Sequence, residues 1–324
     1  MRRVTIKDIS RETGLSRGTI SRALNDRPDI SLETKKRVME ACRKLNYMPS
    51  HAARSLATGR NYALAALVSD IAEEFTALVL ALATEQAMQA GYVIHVLQTT
   101  PGNAVQHLSA LAIDRIDGIL NLLPIEQHRA RSLAEVVDKV PLVSLVTIAM
   151  DCDVLMPDRT EAGRMAARFL FRNQRRSLLG LYHPTEGAAW ASGFEEIINT
   201  QGDDACRLAA CRGGDEIENL LPLIEQADGL AASDDALAAA AMSACERLGR
   251  RPGVDVAVIG CGNTPLAGKL WPALTSIDYD AREIARRAVE TLLRRITKTE
   301  TGEHTRLPVA PRMVERATTA CCGP

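Results

Sequence analysis

The chain has 324 residues, 46% of them hydrophobic and 24% charged, with a formal net charge of −1. At roughly 100–200 residues per domain this length allows two or three domains, and the composition excludes a disordered or collagen-like chain. No apolar run approaches the ~18 residues of a membrane span, and Met1-Arg2-Arg3-Val4-Thr5-Ile6-Lys7 carries no signal-peptide core, so a cytoplasmic protein without a membrane partner is expected. The near-zero net charge hides a split. Residues 1–60 hold 14 basic and 6 acidic side chains, whereas the remaining 264 hold 25 and 34. A small basic head on an acidic body points the head at a polyanion. The eight cysteines (42, 152, 206, 211, 245, 261, 321 and 322) lack zinc spacing and read as reduced structural thiols.

In the head, Thr5–Glu12 reads as a short helix with Thr5 as N-cap and Asp8 in its first turn. Gly14 supplies the left-handed residue that ends it, and Ser16 is placed to cap a second helix, Arg17–Leu24. At helical spacing Arg17, Gly18, Ser21 and Arg22 share one face; Thr19, Ile20, Ala23 and Leu24 share the other, which can pack on Ile9 and Leu15. A third helix capped by Ser31 carries an apolar stripe at Val38, Ala41, Cys42 and Leu45. Two short helices joined by a tight glycine turn, with a third behind, make a helix-turn-helix. Its second helix would enter the major groove by its N-terminal turn, with Arg17 and Arg22 able to grip guanine O6 and N7. Gly18 lets the backbone approach, and Thr5, Ser16, Thr19, Ser21 and Asn25 suit phosphate oxygens. Gly14-Leu-Ser-Arg-Gly18 also fits the G-x-S-x-G nucleophile pattern, but the polar helix before it is not the buried strand that such an elbow needs.

These residues, together with Tyr47-Met-Pro-Ser-His-Ala-Ala-Arg-Ser-Leu56, resemble the lactose/galactose repressor family of bacterial transcription regulators, densely over residues 4–58 and more loosely over the rest. Pro49 interrupts the chain, Ser50 can cap, and Ser50–Thr58 is long enough for about two turns, too short to be stable alone in water. The resemblance implies that two such hinge helices pair across a dimer axis and wedge Leu56, with Ala53 beside it, into the minor groove.

Beyond Gly59-Arg60 apolar runs alternate with helical stretches. Strands are expected at Leu64–Val68, Tyr92–Leu97, Gly118–Leu123, Leu142–Val146, Leu178–Tyr182, Gly229–Ala232 and Val256–Ile259, all buried. Helices are expected near 73–90, 103–114, 126–138, 160–173, 188–200, 216–226, 235–248 and 281–296. The expected fold is therefore an all-α helix-turn-helix head and hinge helix followed by an α/β body of two doubly wound lobes. The domains read as 1–48, a hinge at 49–60 and a body at 61–324. The resemblance implies a periplasmic-binding-protein-like body, its first lobe about 61–158 with 281–305 and its second about 159–280 with 306–316. Ligand would sit between the lobes at the carboxyl ends of the strands.

Cleft candidates are Asp70, Phe75, Trp190, Asp234, Asn263 and Tyr279. Trp190 stands where the family's sugar-gripping Arg is expected and Gly262 where its sugar-binding Asp is expected, which argues against an ordinary monosaccharide. Trp190, Phe75 and Tyr279 are candidates to stack on a ring or to pack in the core; Asp70 and Asp234 are candidates to accept from ligand or to cap helices. Gly260-Cys-Gly262 lacks the third glycine of a dinucleotide loop, and there is no GK[ST] loop, HExxH or metal-spaced cluster among the six histidines. No enzyme activity, metal or cofactor is expected. The expected function is a homodimeric DNA-binding regulator, a repressor, binding a pseudo-palindromic double-stranded operator under control of a small effector such as a sugar or sugar derivative. The alternatives are a small-molecule-binding protein, an enzyme on the same fold, and a regulator whose cleft is vestigial and whose control comes from a protein partner.

Overall fold

The computed structural model describes residues 4–24, 27, 29–47, 58–111, 115–125, 127–137, 140–201 and 205–319. The chain divides into a head, Met1–Ala63 with Asp114–Asp117, and a body, Leu64–Ile113 with Gly118–Pro324. The expected hinge, with Ser50, Ala53 and Leu56, falls outside the described residues, as does Asn25.

The head folds around local signals. Helix α1 (Ile6–Thr13) starts where the Thr5 N–H and hydroxyl both donate to the Asp8 carboxylate, at 2.9 and 2.7 Å. It stops at Gly14, whose φ of 69° is the left-handed conformation that a side chain disfavours. Ser16 accepts from the Thr19 N–H at 3.1 Å and starts α2 (Arg17–Leu24); Ser31 accepts from the Thr34 N–H at 3.2 Å and starts α3 (Leu32–Lys44). The apolar faces meet in one small core of Ile9, Ile20, Ala23, Val38, Ala41 and Cys42, with Leu15, Leu24 and Leu45 at its edge. Arg37 ties α3 to the end of α1 by donating to the Thr13 carbonyl at 2.6 Å.

Among the described residues the body contains two six-stranded sheets. The first holds β1 (Ala63–Val68), β2 (Val93–Gln98), β3 (Gly118–Leu122), β4 (Leu142–Ser144), β5 (Asp153–Pro157) and β11 (Arg306–Val309), in the order β11-β5-β4-β3-β1-β2. The second holds β6 (Leu178–Tyr182), β7 (Arg207–Ala210), β8 (Gly229–Ala232), β9 (Ala257–Cys261), β10 (Thr275–Asp278) and β12 (Arg312–Val314), in the order β12-β10-β9-β8-β6-β7. Central strands such as β1, β3, β8 and β9 are buried along their whole length, as parallel strands covered on both faces must be. Helices α4 (Glu74–Gln89), α5 (Ala104–Ala110), α6 (Gln127–Val137) and α12 (Ala281–Thr297) belong with the first sheet. With the second go α7 (Arg159–Arg172), α8 (Ala188–Gln201), α9 (Leu221–Gln226), α10 (Asp235–Arg247) and α11 (Pro265–Lys269). The first part of the helix expected at 216–226 is a 3-10 turn, Gly214–Leu220.

Three expectations need correction. The strand expected buried at Tyr92–Leu97 is β2, an edge strand that exposes Val93 and Val96 because it has a neighbour on one side only. Strands β5, β7, β10, β11 and β12 carry no long apolar run and are absent from the sequence reading. Finally, 306–309 does not join the second lobe: Arg306–Val309 pairs in parallel with β5 of the first sheet, and the chain re-enters the second lobe only at Arg312. Buried Asp153 on β5 draws it there, accepting from Arg295 at 2.8 and 3.0 Å and from the Thr305 N–H at 2.9 Å. Burial opposes ionisation of Asp153, but these donors outweigh it and hold the carboxyl at about 2.

Candidate DNA-reading surface and ligand cleft

On α2 the packed face is filled by Ile20 and Ala23, which leaves Arg17, Gly18 and Arg22 exposed together. Open space surrounds Gly18, whose nearest neighbour to an added Cβ would be the Ser16 hydroxyl at 3.8 Å. Arg22 is held in place by its own unit, donating to the Gly18 carbonyl at 3.4 Å and pairing with Asp29 at 3.0 Å. Both partners of that pair are half exposed, so exchanging Asp29 for a guanine edge forfeits at most about 1 kcal/mol. Ser16 and Thr19 lie at the same end, their hydroxyls 2.9 Å apart; Ser21 is half-buried. Thr5 differs from expectation: its hydroxyl proton goes to Asp8, so a phosphate must compete with the cap for it.

In the body, a cavity of about 510 Å3 opens between the lobes at the carboxyl ends of β1, β6, β7, β8, β9 and β10. Four of the six expected cleft residues line it: Asp70, Phe75, Asp234 and Tyr279. Phe75 meets Tyr279 edge-on, ring centres 5.4 Å apart, and the Arg159 guanidinium lies 5.3 Å over the Tyr279 ring. Asp234 caps α10 by accepting from the Leu237 N–H at 2.7 Å, and Asp70 accepts from the Ala72 N–H at 2.9 Å. Burial raises the pKa of Asp234.

The other two lie elsewhere. Trp190 is fully buried in the second lobe, stacked on Phe194 with ring centres 5.1 Å apart, because α8 turns its apolar face inward. Asn263 accepts from the Arg316 guanidinium at 2.6 Å and is not part of the cavity lining.

Sequence reasoning missed Arg159, Glu74, Thr264 and Asp235, all in the lining. The signal for Asp235 was the doubled acid after β8: the first caps the helix, the second turns inward. Asp235 is 1% exposed and accepts from the Ser276 hydroxyl at 2.6 Å and from the Thr264 N–H at 2.7 Å. The Thr264 hydroxyl lies 2.9 Å from Asp235 Oδ2 and 2.8 Å from Glu74 Oε2 across the cleft. A hydroxyl has one proton to donate, so both contacts are hydrogen bonds only when one carboxyl group is protonated. Burial pushes Asp235 up to about 6 against the donors around it, in keeping with that sharing.

A raised native pKa means that the folded chain binds more protons than the unfolded one between about pH 4 and 6, so this group's contribution to stability falls as pH rises through that window. Asp235→Asn should therefore lose less stability than the parent between pH 4.5 and 6.5 in parallel melting curves. Curves that stay parallel would contradict the protonation assigned to Asp235.

A basic helix-turn-helix head on a two-lobed α/β body defines a ligand-responsive DNA-binding regulator. Residues 5–50 match the family of bacterial regulatory proteins of the lacI type, and residues 167–319 match the periplasmic binding protein-like domain. The head thus carries a DNA-binding domain of the lacI type and the body a periplasmic binding protein-like domain. It is 26% identical to the ribose operon repressor of Halalkalibacterium halodurans, covering 97% of each chain. It is 27% identical to the transcriptional repressor PurR of Salmonella paratyphi B, covering 98% of this chain and 97% of that one. Among solved structures, the lac repressor dimer bound to operator shares the fold with a TM-score of 0.80 at 20% identity, covering 99% of this chain and 100% of the other. The regulator CelR in complex with cellobiose shares it with a TM-score of 0.69 at 24% identity, covering 98% and 100%. No helix among the described residues is long and apolar enough to cross a membrane.

Proposed function

We propose that this chain is a transcription repressor that binds a pseudo-palindromic operator as a homodimer and releases or tightens it in response to a small ligand in the inter-lobe cleft. The observation that carries this reading is the exposed Arg17-Gly18-Arg22 edge of a capped helix whose opposite face is the head's core. Arg17 and Arg22 read base edges in the major groove; Ser16, Thr19, Ser21, Asn25 and Thr5 hold phosphates; Ser50, Ala53 and Leu56 form the minor-groove hinge, with Leu56 as the wedge.

Two body surfaces support self-association. Edge strand β2 exposes Val93 and Val96 near the end of α4, where Met88 is 66% exposed, and in the second lobe Trp271 is 92% exposed. Exposed apolar side chains that cluster, as Met88, Val93 and Val96 do along the chain, are the kind of surface a partner covers. A single head buries too little DNA for tight specific binding, so two heads on one dimer are required. The ligand acts by preferring one lobe arrangement over the other, and the Glu74–Thr264 and Phe75–Tyr279 contacts are the ones that such a change must alter. Such a regulator works where the chromosome is, in the cytoplasm.

Selecting bound duplexes from a random pool with the full chain should enrich a two-fold symmetric sequence. Enrichment of an unsymmetrical sequence, or none, would overturn the reading.

A further inference from the structure

The cleft has a second compartment. A cavity of about 400 Å3 adjoins the first and shares Glu73, Arg159 and Glu186 with it. Its walls carry fewer ionisable groups. They come from the carboxyl ends of β3, β4 and β5 and the start of α8, through Leu122, Leu145, Val146, Met156, Ala188 and Ala189. Pro124, Pro157 and Pro308 add further carbon, and the threonines that line it (76, 147, 160 and 185) each present a methyl beside the hydroxyl. Beyond the three shared residues, the first compartment adds the carboxyl groups of Asp70, Glu74, Asp234 and Asp235, the Arg212 guanidinium and the His183 imidazole, whereas the second adds only Asp158, whose Oδ1 accepts from the Glu161 N–H at 2.9 Å.

Each volume lies within the roughly 300–1,000 Å3 of small-molecule sites, so a compact ligand in the first compartment leaves the second unfilled. Carboxylates only accept hydrogen bonds, and their excess in a walled cleft repels anions. Away from the shared residues and Asp158, the walls of the second compartment are mostly carbon and suit hydrocarbon better than a hydroxyl-rich ring.

We propose that the cleft takes an elongated effector: a hydrogen-bond-donating head without negative charge sits among the carboxylates, and an alkyl or aryl arm fills the second compartment. This inference rests on the cleft being the effector site. The head's shared chemistry is donation, which an organic ammonium group and a neutral polyol both supply. The three shared residues mark where head and arm join, with Arg159 over Tyr279 walling the first side.

The test titrates the full chain with three series of equal chain lengths, butyl to octyl: n-alkylamines, n-alkyl glucosides and n-alkanoates. Burial of each added methylene should tighten binding about fourfold in at least one donor-headed series, and the alkanoates should show no such rise. A rise with the amines assigns a cationic head; a rise with the glucosides assigns a neutral one. No rise in either donor series, or an equal rise with the alkanoates, overturns the proposal. Ala189→Trp fills the second compartment from an exposed position at the start of α8. It should flatten the length dependence, and an unchanged length dependence in this variant also overturns the proposal. Operator binding by the probe-free chain, measured alongside, tests the repressor reading separately: its loss strikes that reading, and its retention with a flat series strikes only this one.

Discussion

Raising the salt concentration from 50 to 200 mM is expected to weaken operator binding by about a thousandfold to a hundred-thousandfold. Two heads that together neutralise roughly 6–10 phosphates release that many condensed counterions, and the logarithm of affinity falls in proportion to the logarithm of salt. The charge needed is concentrated in the head, with 14 basic against 6 acidic side chains in the first sixty residues. The rest of the chain, 25 against 34, adds no attraction of its own. Some of the head's cations are already answered: Lys44 pairs with Glu12 at 2.6 Å and Arg22 with Asp29. These pairs are exposed and weak, so they lower the slope without abolishing it. A flat response measured by fluorescence anisotropy would remove phosphate contact from the account.

Gly193→Ala should destabilise the body by several kcal/mol. Helices α7 and α8 cross with their backbones in contact: a Cβ on Gly193 would lie 1.9 Å from the Thr160 carbonyl oxygen, and one on Gly163 would lie 2.0 Å from the Trp190 carbonyl oxygen. Neither neighbour is a side chain that can swing away. The helices must separate, opening the packing of Trp190 and Phe194 between α8 and the second sheet. Overpacking a tight core costs about 1–3 kcal/mol when side chains can yield and more when backbone must move. The expected result is a body transition at markedly lower denaturant in the variant, with the head's transition unchanged. Gly163→Ala should match it. Parent-like unfolding of both variants would show that the crossing is looser than described.

The head was legible in the sequence because every signal in it is local. Ser16 and Ser31 accept from amides three residues on, the Asp8 carboxylate reaches back to the Thr5 amide, and Gly14 acts on the turn beside it. The long apolar strands were legible for the same reason. Strands β10 and β12 were not: Thr275–Asp278 and Arg312–Val314 are short, and partners more than thirty residues apart, with Arg312 bonded to Asp278 at 2.8 Å, set their pairing. The cleft was half legible. Residues following strands β1, β8 and β10 reached it because strand ends define it. Trp190 did not, since a large apolar ring on a helix face is drawn to the core whatever residue a relative has there. Asn263 failed for want of a distant partner, Arg316, that no local pattern announces. Thr264 and Glu74, 190 residues apart, were beyond reach of any window.

That the Arg17–Arg22 edge reads base pairs is tested most directly by measuring parent, Arg17→Ala and Arg22→Ala chains on the selected operator, on duplexes with each base pair replaced in turn, and on a scrambled duplex. Each variant should lose about 1–3 kcal/mol on the selected sequence and lose its preference at one base pair per half-site, while binding scrambled DNA nearly as the parent does. Equal weakening on every duplex, with all preferences kept, would contradict base reading by this edge and leave it a phosphate grip.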